Sequence, residues 1–492
     1  MSDIEPPGLV SLQDTNTRIR NISAKITEGL LRYDAQFHPQ PLLATRWSVS
    51  PDGLRYTFNL RTGVKWHDGK DFTSADVRFS ALAQKSHGPR GRITLANLER
   101  VDTPDAHTAV LVLSKPAPYL LKALSSAEFP IVPAHRYADG DPLSSNNTTA
   151  PVGTGPFIFE QWVRGSHIVL RKNPNYWRAG TPHLDRIIFR FIPDPAAISA
   201  ALEAGEVDVA TNVNLTDLDR LSKNRALRIE DTYDAYLNNA VFLEYNLENP
   251  ILAKREVRHA IAHAIDRKAL TTTVWNKRAE IVDSPVPKVF TKYYDDSTFK
   301  YPPDLARANQ LLDQAGYPRQ SNGTRFTLKA INIPGAAQKK SAEFLRASLA
   351  RIGIRVDLLD GDLPTYVKRA YTAREFDINV NALGRLYDPT VGVQRIYWGD
   401  AAKNPLIWTN AAHYENSQVD GLFRQASTEV DDARRAAYFR EIQQIVGREL
   451  PVYPLVTVPS AIQVYRTHVH QLVNSIDLTA GDLADAWLQP RN

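Results

Sequence analysis

The chain has 492 residues, 43% of them hydrophobic and 23% charged, with a formal net charge of +5. This is the length of two or three domains and an ordinary globular composition, with no run of roughly eighteen apolar residues to form a membrane-spanning helix. The absence of cysteine excludes disulfides, thiolate metal sites and a cysteine nucleophile. Basic residues are interspersed with acids rather than gathered in stripes, so no nucleic-acid partner is expected.

Residues 1–7 carry no apolar signal-peptide core and read as the start of a mature domain. Val10 to Asp34 is expected to open with a short strand and a polar loop, Ser11 to Thr17. A helix follows, with Ile22, Ile26, Leu30 and Leu31 at helical spacing. Ser50 to Gly53 and His67 to Gly69 are turns, and Tyr56, Phe58 and Leu60 alternate as a half-buried strand. Thr73 caps a helix beginning at Ser74. Lys85 to Arg92 is a basic loop, Lys115 to Pro118 begins a helix through Leu121 and Leu124, and Asp139 to Ala150 is a polar connection.

Val152 to Ala210 is the stretch around which the rest is organised. The glycines of Gly153 to Phe157 read as positive-φ turn residues closed by Pro156. Strands Phe157 to Trp162 and His167 to Lys172 follow, joined at Arg164 and Gly165. Asn173 to Trp177 is a loop with a large aromatic anchor. A strand, Arg186 to Ile192, leads into a helix with Asp194 as N-cap, Pro195 at N1 and Gly205 as its stop, and Glu206 to Ala210 returns as a strand.

Tyr236 to Tyr245 reads as a strand and Asn246 to Pro250 as its exit. Val257, Ala260, Ile261, Ala264, Ile265 and Ala269 share one helical face. His259 and His263 sit four apart on it, the spacing at which two imidazoles hold one metal. Ala260 stands where a zinc-protease glutamate would be, no third ligand is evident, and a structural pair is expected. Helices Asp304 to Ala315, Ala337 to Arg351 and Ala433 to Glu449 alternate with strands Thr327 to Ile333, Arg355 to Leu359 and Val452 to Val458, which builds a second α/β lobe.

Five ordered phrases carry a family resemblance. They are GTGPF at 153–157, G-x-x-I-x-L at 165–170, NPxYW at 173–177, LDxIxFRxIPD at 184–194 and ALxAGExDxA at 201–210. Together with the pattern from Ala44 and Trp47 through Trp66, Asp68 and Gly69 to Val77, and with VRxAIxxAIDR at 257–267, they resemble family 5 of the bacterial extracellular solute-binding proteins, which feed peptide, nickel and opine ABC importers. The resemblance covers essentially the whole chain from Ser11 onward.

It implies an α/β, two-lobed type II periplasmic binding fold with an extra small domain in lobe I. The implied division is lobe I in 1–38, 151–246 and 461–492, the extra domain in 39–150, and lobe II in 247–460. It implies a periplasmic, monomeric protein that closes its lobes on a small organic ligand, delivers it to a membrane permease, and uses no cofactor and no catalysis. Trp66, His67 and Asp68 are then scaffold.

Implied ligand contacts are the Ser11–Thr17 loop with Asn16, the crossover residues Tyr245 and Asn246, and the region of the D-P pair, Asp388 and Pro389. In the family's peptide binders a carboxylate four residues before that proline holds the peptide α-ammonium; here the position is Arg385. The reversal points to an organic anion, with Tyr387 and Trp398 nearby to pack its organic part. The alternatives are an oligopeptide ligand, a periplasmic chaperone or regulatory receptor on the same fold, and a hydrolase, for which no G-x-S-x-G, P-loop or zinc motif is present.

Overall fold

A computed structural model describes the chain except residues 13, 15, 35, 89, 138–145, 212, 231–237, 404–406, 459–461, 473–480 and 491–492. The chain forms two compact units, one of residues 1–236 with 461–492 and one of residues 237–460.

The first unit is built on a seven-stranded sheet in the order Leu227–Glu230, Gln463–Arg466, Val209–Ala210, Ser2–Asp3, Arg186–Phe191, His167–Lys172, Phe157–Val163. Its first strand is Ser2–Asp3, parallel to both neighbours, and not the stretch at Val10. The first helix, Thr17–Ile26, ends earlier than the spacing of Leu30 and Leu31 suggested. Thr27 is extended, and a Cβ on Gly29 would lie 2.3 Å from the Leu124 carbonyl oxygen, so the chain is pressed flat and Leu31–Tyr33 becomes a strand. A four-stranded antiparallel sheet, Ala44–Val49, Arg55–Leu60, Thr108–Leu113, Leu98–Asp105, lies within this unit. Helix Ser74–His87 packs on it, started by a Thr73/Asp76 capping box. The helix expected after Lys115 is one 3-10 turn, Leu120–Lys122.

The Gly165 turn (φ 71°) joins Phe157–Val163 to His167–Lys172, and Asp194 caps Pro195–Ala204, which Gly205 (φ 78°) ends. The returning strand is only Val209–Ala210: the Glu206 and Val207 amides donate to the Ala201 carbonyl and are spent on the helix end. The glycines of GTGPF do not use positive φ. Their role is close approach: a Cβ would stand 1.8 Å from the Ile26 carbonyl oxygen at Gly153 and 2.7 Å from it at Gly155.

The second unit has a six-stranded mixed sheet, Glu280–Ile281, Val452–Thr457, Asn239–Tyr245, Ile378–Gly384, Phe326–Asn332, Ile354–Leu358. The last three strands run parallel to one another, with helix Ala336–Ala350 as a crossover. Asn239–Tyr245 pairs along its whole length with Ile378–Gly384 in the middle of this sheet. The apolar face of Val257 to Ala264 is one helix, Arg255–Ala264. Ala269 belongs to the next, Arg267–Thr273, whose N-cap is Asp266.

Candidate functional site

In the second unit, strand Ile378–Gly384 delivers Arg385 into the interior, where it is 1% exposed. Its guanidinium is tied to three segments. Nε donates to the Asn238 carbonyl at 3.2 Å, Nη1 to the Ser284 carbonyl at 3.4 Å, and Nη2 to Asn238 Oδ1 and to Thr457 Oγ1 at 2.5 Å. None of these acceptors is a carboxylate. Burial pulls the guanidinium down to about 9, and the facing ionisable groups are Tyr397 and Tyr294. Among the described residues the buried cation is thus met by carbonyl, amide and hydroxyl oxygens and by no carboxylate.

The next residues explain the D-P pair. Leu386 turns the chain (φ 56°), and Asp388 caps the short helix Pro389–Gly392 by accepting from Thr390 N at 2.9 Å. The Asp388 carboxylate also receives a fork from Arg435; burial works against the Arg435 charge, but the charge and hydrogen bonds of Asp388 outweigh it and hold the guanidinium above its ordinary range. A Cβ on Gly392 would stand 1.7 Å from the Arg385 carbonyl oxygen, so only glycine lets this turn fold against it.

Tyr387 is 0% exposed and fills the core of the second unit. Trp398 is half-buried, its ring edge-on to Phe423 at 6.5 Å with the Arg424 guanidinium 5.4 Å from its centroid. Tyr245 is 0% exposed, its hydroxyl 3.4 Å from the Arg258 carbonyl. Asn246 spends its side chain on the Phe376 carbonyl and the Glu248 amide. Tyr245 and Asn246 therefore fasten the end of their strand, and Arg385 is the candidate that brings an unusual charge.

In the first unit, Asn16 is the N-cap of Thr17–Ile26 and accepts from Arg18 N at 2.9 Å. Ser11 Oγ reaches the Ser126 carbonyl; residues 13 and 15 of the same loop lie outside the described residues. His67 is scaffold: Nε2–H donates to the Gly155 carbonyl at 2.9 Å and Nδ1 accepts from Gly153 N at 3.2 Å. Burial lowers the imidazole to about 4, so it is neutral. Trp66 is 2% exposed, and Asp68 pairs with His135 at 2.7 Å. The NPxYW aromatics have a partner the sequence did not announce: Glu28 Oε1 accepts from Tyr176 Oη at 2.9 Å and Trp177 Nε1 at 3.1 Å.

His259 and His263 both lie against the Tyr301 ring. His259 Nε2 is 2.8 Å from the Arg448 carbonyl, and His263 Nδ1 is 2.8 Å from that of Pro302. Among the described residues no three His, Cys, Asp or Glu side chains gather as metal ligands, and no helix is long and apolar enough to cross a membrane.

Sequence reasoning missed Asn238, Ser284 and Thr457 around Arg385, because three segments distant in sequence supply them. It also passed over Glu244, whose position in an otherwise apolar strand was a visible signal.

Residues 38–405 match the model of the bacterial extracellular solute-binding proteins, family 5 Middle. A Brucella ovis protein named as an ABC transporter peptide-binding protein is 32% identical over 430 residues, 83% of this chain and 77% of that protein. The periplasmic binding protein AgaA of A. tumefaciens R10, solved with agropinic acid, is 26% identical with a TM-score of 0.82, covering 100% of this chain and 98% of its own. The ABC transporter-associated periplasmic binding protein DppA of Helicobacter pylori, solved with the peptide STSA, is 25% identical with a TM-score of 0.83, covering 99% and 97%. The α/β, type II periplasmic binding fold is shared over the full chain.

Proposed function

This chain belongs to the bacterial extracellular solute-binding proteins, family 5, and from that premise we propose that it is the solute-binding component of an ABC importer, specific for a small organic ligand with an anionic group. It works outside the cytoplasm as a monomer, closes its two lobes on the ligand and presents it to a membrane permease. It performs no chemistry and needs no cofactor.

The observation that carries the anionic reading is Arg385. A buried guanidinium with no carboxylate partner among the described residues leaves a positive potential in a low-dielectric site, and a ligand carboxylate or phosphate relieves it. Four of its N–H groups already donate to protein oxygens, so the charge, more than a free fork, is what it offers. A peptide held by its α-ammonium meets like charge there. The relative solved with agropinic acid binds an organic acid, which agrees with this reading. The relatives named or solved as peptide binders favour the competing one.

A thermal-shift screen separates the two. Organic acids, opine-like conjugates and phosphorylated compounds are run against unmodified di- and tripeptides, on the wild type and Arg385→Met. The anions raise the wild-type melting temperature most, and Arg385→Met loses that gain. Peptides as the strongest stabilisers would overturn the anionic reading and leave the importer reading in place.

A further inference from the structure

Glu244 is an acid in the apolar run Val241 to Tyr245, on a central strand of the second unit, and it is 0% exposed. Its Oε2 accepts from Asn379 Nδ2 at 2.7 Å and Asn381 Nδ2 at 3.2 Å. The same amides reach the Tyr366 hydroxyl at 3.2 Å and the Tyr371 hydroxyl at 3.0 Å. All donors converge on Oε2. Among the described residues Oε1 has no hydrogen-bond partner, and neither has Asn379 Oδ1. Two residues already joined by Nδ2–H to Oε2 thus each keep one orphaned acceptor. A neutral carboxylic acid resolves both at once: Oε1–H donates to Asn379 Oδ1, closing an acid–amide pair. An ionised carboxylate leaves Oε1 and Asn379 Oδ1 unsatisfied in a fully buried site.

The polar, charged and titratable groups facing Glu244 come from three elements. Asn379 and Asn381 lie beside it on strand Ile378–Gly384. Tyr366 and Tyr371 come from the helical segment Leu363–Thr372, where both pack on Trp408. Arg395 and Tyr397 come from Gln394–Tyr397. Arg395 donates to the carbonyls of Gly392, Trp408 and Gly384 and acts on Glu244 through its charge alone. Burial, against the pull of the two amides and Arg395, lifts the carboxyl to about 7.

We propose that Glu244 is a proton-binding site and a pH-operated switch in the second unit. Protonated, it is paired with Asn379 and locks the cluster of Tyr366, Tyr371 and Trp408; on ionisation the proton passes to solvent, the acid–amide pair opens and the cluster loosens. The ionised carboxylate then also faces Tyr397, whose hydroxyl feels the charges of Glu244 and Arg385 alike.

The test uses the full chain labelled with carbon-13 at the glutamate carboxyl and titrated by NMR, with tryptophan fluorescence followed in parallel. Two carboxyl signals titrate near neutrality, those of Glu28 and Glu244; Glu28→Gln removes one and Glu244→Gln the other. A fluorescence transition with the Glu244 midpoint is present in wild type and Glu28→Gln and absent in Glu244→Gln. Should Glu244→Gln not fold, Glu28→Gln still isolates the Glu244 signal. An isolated signal that titrates in the ordinary carboxylate range removes the proton site. Fluorescence that is flat through neutrality removes the switch. No ligand is needed, so neither result depends on the anionic reading.

Discussion

The Arg435 guanidinium forks onto the Asp388 carboxylate, Nη2 to Oδ1 at 2.7 Å and Nη1 to Oδ2 at 3.0 Å, with side chains 1% and 0% exposed. The pair fixes the turn that follows Arg385, so the D-P phrase is a structural bolt beside the candidate site. Removing one partner strands the other charge. Arg435→Met and Asp388→Asn each cost about 3–5 kcal/mol in urea unfolding, and the double variant costs clearly less than the sum. Additive losses would contradict the pairing.

The GTGPF glycines make a separable prediction. Gly153→Ala puts a methyl group into the Ile26 carbonyl and costs about 3 kcal/mol or more. Gly165→Ala meets nothing within 4 Å and bears only left-handed strain, about 1 kcal/mol. Equal melting temperatures for the two variants would refute the close-approach role.

Stability should depend on pH through two buried glutamates. Burial raises both Glu28 and Glu244 to about 7, from about 4.5 in the unfolded chain. A raised carboxyl stabilises the fold fully below the unfolded value, and the contribution is lost as pH rises from about 4.5 through about 7, up to about 3 kcal/mol each. His67, lowered to about 4, works oppositely: its contribution is present above about 6.5 and lost as pH falls through about 4. Glu28→Gln and Glu244→Gln each flatten the decline between about pH 4.5 and about pH 7 in urea titrations at stepped pH, whereas His67→Gln removes the opposing rise between about pH 4 and about pH 6.5.

The switch and the anionic reading combine in a fourth prediction. The best stabilising anion from the screen binds the wild type more weakly at about pH 8 than at about pH 6, because ionised Glu244 offsets the Arg385 charge. Glu244→Gln shows no such weakening by calorimetry. A wild-type affinity that is level across this range would separate Glu244 from the ligand site.

The sequence carried the family, the alternation of strands and helices and the caps at Thr73, Asp194 and Gly205, because these act within one turn of where they stand. It misjudged elements whose fate is decided at a distance. Leu31 left its helix because Gly29 is pressed onto Leu124, and the strand expected from Glu206 shrank to Val209–Ala210 because the Glu206 and Val207 amides turn back to Ala201. For the site, the charge reversal at Arg385 was readable, but its cage was not: Asn238, Ser284 and Thr457 meet only in the folded unit. Tyr387 was adjacent in sequence and lies in the core, since neighbours along a turn point to different sides.

Native mass spectrometry of the wild-type protein, purified without denaturation, tests the central claim most directly, since a tightly held ligand is retained on purification. The account predicts a one-to-one adduct whose released molecule carries a carboxylate or phosphate and no free peptide α-ammonium. An adduct that releases an unmodified di- or tripeptide would contradict it.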